Sequence, residues 1–215
     1  MALVSEFIPH GAEVGVGLAI QHGHEHYIFF LAGTRHHCTD GEMFYAGIGG
    51  HVEPGEDFLA CAHREAREEV GVDVDIMSSA VTWHVSHRDE IRQIEVDDGV
   101  RPLAVYEMIH PEGTPRAGGI YHLVIYNARL RDLPTDLKRD EVQGVLALTI
   151  DQVVLSLERK LTLGELLAEG AILLADTGPI PKSVSLYPIG TARALALIWG
   201  ENMNTAMHAR NGVGR

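Results

Sequence analysis

Cysteine is scarce in this chain. Cys38 and Cys61 are the two present among 215 residues, and Cys61 falls in a stretch of helix-forming composition. A disulfide scaffold is therefore excluded as the origin of the fold, and both side chains are expected as free thiols. Positive charge is scarce as well: 17 Lys and Arg stand against 30 Asp and Glu, a formal net charge of -13. That balance argues against non-specific binding to nucleic acid and against an anionic membrane surface. It also means that a phosphate substrate is repelled unless a metal ion and local arginines reverse the field. No apolar run reaches membrane-spanning length, and the first residues lack a basic region followed by an apolar core. The expectation is a cytoplasmic protein with no nucleic-acid partner and no membrane partner.

What the chain does have is one dense segment, GHVEPGEDFLACAHREAREEVGV, from Gly50 to Val72. Pro54-Gly55 signals a turn, and Glu56 and Asp57 put negative charge where a helix would begin, which suits its dipole. From Asp57 to Val70 there is neither Pro nor Gly, and Ala, Leu, Glu and Arg dominate, so a helix of about four turns is expected. Gly71 stands at the usual C-terminal stop. Leu59, Ala62, Ala66 and Val70 fall on one apolar stripe. Glu65, Glu68 and Glu69, spaced i, i+3 and i+4, fall on an adjoining face, with Arg64 able to pair with Glu68. On a solvated helix such a face costs only tenths of a kcal/mol per pair. At a cleft wall, with an effective dielectric near 20, each pair would repel by roughly 3 kcal/mol. One arginine does not offset that, whereas a hard divalent cation with oxygen ligands, Mg2+ or Mn2+, would.

The order Gly50, Glu56, Arg64-Glu65, Ala66, Glu68-Glu69, Gly71, Val72 resembles the signature of the Nudix hydrolase family, with no position missing. Ala66, where a larger aliphatic is common, is a mild departure. The signature covers about a tenth of the chain, and the wider domain pattern extends the resemblance from about Gly11 to Ile150. The resemblance implies an α/β/α sandwich around a mixed sheet and hydrolysis of a diphosphate linkage. It implies metal ligation by Glu65, Glu68 and Glu69, with the carbonyl of Gly49 as a further ligand. Glu56 and Arg64 are implied to brace the loop and helix, with Gly50 and Gly71 as its structural ends. The catalytic base is not fixed in the family. Glu65 or Glu69 can double as base, and some relatives use a glutamate on a distant loop, for which Glu141 is the candidate and Glu112 stands behind it.

Along the rest of the chain, Glu13 to Gln21 and Tyr27 to Leu31 read as a hairpin around His22-Gly23-His24-Glu25-His26. That turn, like His36-His37-Cys38, is read as solvated loop before metal site. Strands are expected at Met43 to Ile48, Val72 to Ile76, Ala80 to Val85, Leu103 to Ile109, Ile120 to Arg129 and Val142 to Ile150. Arg88 to Asp98 reads as a charged loop or hairpin. The fold class is α+β, with a Nudix-like domain over 1–150 and a helical C-terminal extension over 151–215. That extension is expected to pack on the same domain, with a homodimer contact or a wall of the substrate pocket as its other roles. Thr162 and Glu165 form a capping box, and Pro188 to Trp199 reads as a further helix.

The function that follows is metal-dependent cleavage of a diphosphate linkage in a nucleoside diphosphate derivative or related small phosphate compound. The alternative is a Nudix-like ligand sensor with little or no catalysis. Arg35, just before the signature, is the candidate phosphate contact. Trp83, Tyr45 and Phe44 could stack a base, though aromatic residues in strands are more often core. The substrate markers of some Nudix subfamilies, a proline, a tyrosine or a proline-rich motif downstream, are missing from Val85-Ser86-His87-Arg88-Asp89-Glu90.

Overall fold

A computed structural model describes residues 2–110, 116–134 and 137–212, the last nine of these as backbone only. Glu112 lies outside the described residues. The helical signature segment forms α1, Phe58–Val70, with Asp57 as its N-cap. The Asp57 side chain accepts from the Ala60 amide at 2.8 Å, a bond that stabilises such a helix by about 1 kcal/mol. Gly71 closes α1 in the left-handed region at φ 70°, where a Cβ would be strained.

Every expected strand is present, most within two residues of its expected ends. With β4 and β7, which were not among them, the strands up to Thr149 are β1 (Glu13–His22), β2 (His26–Ala32), β3 (Glu42–Ala46), β4 (Gly49–His51), β5 (Val74–Met77), β6 (Thr82–Val85), β7 (Ile91–Ile94), β8 (Ala104–Ile109), β9 (Ile120–Leu130) and β10 (Val142–Thr149). The charged stretch after Val85 proves to be a hairpin: β7 pairs antiparallel with β6. β1 holds the centre, parallel to β9 and antiparallel to β2 and β4.

The C-terminal part is less purely helical than its pattern implied. α2 (Ile150–Glu158), β11 (Leu161–Thr162) and α3 (Leu163–Ala168) are followed by β12 (Ile172–Asp176), β13 (Ser185–Pro188) and α4 (Gly190–Gly212). β12 adds to β10, and β13 adds in parallel to β3, so the extension completes the same sheet. Neither strand is announced locally: both are short, carry no alternation of their own and have Pro179 and Pro181 between them. The capping box at Thr162 and Glu165 forms as expected.

Strand alternation separates two cores. Val16, Leu18 and Ile20 of β1, with Val124 and Tyr126 of β9, pack on one face against Cys61, Ala62, Ala66 and Val70 of α1. Ala19, Leu123 and Ile125 face the other way, against Ala192, Leu195 and Ile198 of α4 and Val153 of α2. The result is a mixed sheet between helical layers. Tyr45 is fully buried, with its hydroxyl 2.7 Å from the Ser156 hydroxyl, which removes it as a base-stacking residue. Trp83 is packed against the same core. Cys38 and Cys61 are free thiols. Among the described residues no helix is long and apolar enough to cross a membrane.

Candidate active site

The signature loop and helix are locked together by one side chain. Arg64 donates from Nε and Nη2 to the Glu56 carboxylate at 2.9 and 3.0 Å. It also donates to Glu65 at 2.7 Å, to Glu68 at 3.0 Å and to the His51 carbonyl at 3.0 Å. This guanidinium therefore spans the loop entering α1 and about one turn of the helix itself. Its hydrogen bonds, with one from the Glu53 amide, hold the Glu56 carboxyl down at about 2. Gly50 is needed for close approach: a Cβ there would overlap the Glu65 carboxylate.

The three glutamates part company in the fold. Glu68 turns outward, with 60% of its side chain exposed, while Glu65 is only 12% exposed. Glu69 goes inward. Burial pushes its carboxyl up to about 8, the negative charges of Glu65 and Glu141 add to the rise, and a hydrogen bond from the Gly49 amide and the charge of Arg35 oppose it. Glu65, Glu69 and Glu141 thus share one partly buried region, although Glu141 lies on the connection before β10. Arg35, after β2, reaches it from the other side and donates to Glu141 at 3.1 Å. Gly33 backs this contact through its amide, which donates to the Glu141 carbonyl at 2.9 Å. Among the described residues, no group of three or more His, Cys, Asp or Glu is set to hold a metal ion as the side chains stand. Arg64 occupies Glu65 and Glu68, so ligation by the full set requires those side chains to turn.

Two features beside the loop carry no local sequence signal. Glu13, at the start of β1, meets His51 at 2.5 Å, His110 at 3.0 Å, and Arg116. A cavity of about 320 Å3 lies between β8 and the first turn of α4, lined by Tyr106, Met108, Ile109, Ile189, Gly190 and Arg193 among others. Arg193 is held there by Asp89 at 2.7 Å, from the tip of the β6–β7 hairpin. Ile109 precedes His110, and Gly190 precedes Thr191, whose side chain fills the space above Gly17 and Gly47. A larger opening of about 580 Å3, bordered by His24, Glu25, Asp151 and Glu169, lies at the far end of β1 and touches none of the signature residues.

The NUDIX domain family matches this chain over residues 11–169. Over 102 residues the chain is 34% identical to the NAD-capped RNA hydrolase NudC of Chromobacterium violaceum, covering 41% of this chain and 38% of that protein. The chain thus matches about two fifths of that relative's length. A MutT NUDIX hydrolase from Burkholderia pseudomallei is 16% identical with a TM-score of 0.47, covering 88% of this chain and 98% of that one. A NUDIX hydrolase from Nitrosomonas europaea is 17% identical with a TM-score of 0.44, covering 66% and 75%.

Proposed function

The chain belongs to the NUDIX family, and from that premise we propose that it is a divalent-metal-dependent hydrolase. It cleaves a diphosphate linkage in a nucleoside diphosphate derivative or related small phosphate compound. The observation that carries this reading is the half-buried Glu69 beside Glu65 and Glu141. Three carboxylates in a half-dry cleft are an unfavourable arrangement by themselves and a fitting one for a hard cation. Glu65, Glu68, Glu69 and the Gly49 carbonyl would hold Mg2+ or Mn2+. When bound, such an ion would neutralise the diphosphate oxygens and lower the pKa of an attacking water.

The protein's own groups divide the remaining work. Arg64 holds the loop and helix in register through Glu56 and the His51 carbonyl, so the backbone that carries the glutamates is fixed before substrate arrives, and only their side chains have to turn. Glu141 is the proton acceptor for the attacking water. It is not engaged by Arg64, and it is 20% exposed beside the half-buried Glu69. Arg35, 52% exposed, has donors open beyond its bond to Glu141 and contacts a phosphate oxygen. The cavity under α4 receives the group attached to the diphosphate, with apolar walls from Met108, Ile109 and Ile189 and polar contacts from Arg193 and Asp89.

A Mg2+-dependent hydrolysis screen tests the reading. The panel is nucleoside triphosphates, ADP-ribose, NAD and NADH, nucleotide sugars, coenzyme A and dinucleoside polyphosphates, with Glu69→Gln as control. One substrate cleaved well above the rest, and lost in the variant, supports it. No cleavage with Mg2+ or Mn2+, together with nucleotide binding, would replace it with the ligand-sensor reading.

A further inference from the structure

Three donors on separate segments converge on Glu13. His51 ends β4, His110 follows β8, and Arg116 precedes β9. His51 Nε2 and Arg116 meet Oε1, and His110 Nε2 meets Oε2 at 3.0 Å. The Tyr121 ring backs both imidazoles, with centroids 4.8 Å from His51 and 5.7 Å from His110. Burial acts to raise the Glu13 carboxyl, but the bonds from His51, His110 and Arg116 outweigh it and hold it at about 2. The side chains of His51 and Arg116 are 60% and 61% exposed, so the cluster opens to solvent.

This arrangement is more than the start of a strand requires. One surface ion pair stabilises a strand end by under about 1 kcal/mol, yet here three elements each commit a nitrogen donor to the same two oxygens. Carboxylate and phosphate present a similar pair of oxygens to such donors. The position also matters. His51 follows Gly50, over which the Glu65 carboxylate lies. His110 follows Ile109, which lines the cavity under α4. Two of the three donors are thus chain neighbours of the residues that meet the glutamate site and the cavity wall.

We propose that His51, His110 and Arg116 form an oxyanion clasp for the phosphate of the substrate that is not attacked, and that Glu13 occupies the clasp as an internal stand-in until substrate displaces it. The clasp rests on the hydrolase reading for its biological ligand. Its existence does not, because a phosphate anion should bind it with no metal present. What the clasp adds to that reading is the place of the second phosphate, beside His51, His110 and Arg116 at the end of the signature loop.

Calorimetric titration with inorganic pyrophosphate, in the presence of a chelator, separates the two readings. Removing the internal competitor in Glu13→Gln should tighten pyrophosphate binding by about tenfold, and Arg116→Ala should weaken it by about tenfold or more. If Glu13→Gln binds no better than wild type, or if neither protein binds at millimolar pyrophosphate, the stand-in is wrong. If Arg116→Ala, an exposed change that leaves the fold intact, binds like wild type, the clasp is wrong. A hydrolysis screen that fails while this titration behaves as stated would overturn the hydrolase reading alone.

Discussion

Replacing Glu69 by Gln should stabilise the metal-free protein, and the gain should depend on pH. In the fold the Glu69 carboxyl sits at about 8, above its ordinary 4.5, because burial and the charges of Glu65 and Glu141 disfavour the anion. The unfolded chain therefore loses its proton first as pH rises. Between about 4.5 and 8 the folded state binds more protons than the unfolded state, so stability falls across that window. At about 1.4 kcal/mol per unit, the full shift corresponds to about 5 kcal/mol. Water reaching the partly open cleft reduces this to about 2–4 kcal/mol, or a melting-temperature difference of roughly 5–15 °C for a chain of this size. Thermal unfolding of wild type and Glu69→Gln in a chelator, from pH 5 to pH 9, measures it. The curves should nearly coincide at pH 5 and part progressively toward pH 8. A constant offset, or a variant less stable than wild type at pH 8, would refute the placement of Glu69 in a desolvated acidic cleft. Saturating Mg2+ should close the gap, since the cation takes over the charge that the fold leaves unbalanced.

Other consequences follow from single contacts. Arg64→Lys keeps the charge but loses the forked donors to Glu56, Glu65 and the His51 carbonyl. Apparent Mg2+ affinity in a hydrolysis assay should fall about 10- to 100-fold. Glu141→Gln should lower kcat about 100-fold or more with little change in KM, as expected for loss of a proton acceptor. Leu195 in α4 is fully buried. Leu195→Ala should cost about 2–5 kcal/mol, visible in urea unfolding as a lower midpoint with an unchanged slope. Asp57→Ala should cost about 1 kcal/mol through loss of the α1 cap, and the same unfolding curves record it.

Much of the fold could be read in advance because its signals are local. α1 is written in the absence of Pro and Gly after Asp57, in the stripe of Ala62, Ala66 and Val70, and in Gly71. β1 and β2 are written in their apolar runs either side of the histidine turn. β12 and β13 were not legible. Ile172–Asp176 and Ser185–Pro188 are short, flanked by prolines, and stabilised by pairing with β10 and β3 rather than by any pattern of their own. The same contrast holds in the site. Arg64 and Glu68 are four apart on one helix, and their contact follows from helical spacing. Helical spacing also groups Glu65, Glu68 and Glu69 on one face, yet only Glu65 and Glu69 turn into the cleft. That division depends on what the sheet places beside each.

By itself, then, the sequence determined the family, the helix that carries the glutamates and the strands that hold it. Each of these depends on residues within a few positions of one another, where backbone geometry alone sets the distance. Tertiary structure decided the neighbours. Arg35 meets Glu141 across 106 positions, and Glu13 meets His51, His110 and Arg116 across 38, 97 and 103. α4 closes a cavity over β8 that the signature does not mention. Contacts of this kind depend on strand order and register. A register shift of one residue would turn Glu13 of β1 or His51 of β4 to the opposite face of the sheet.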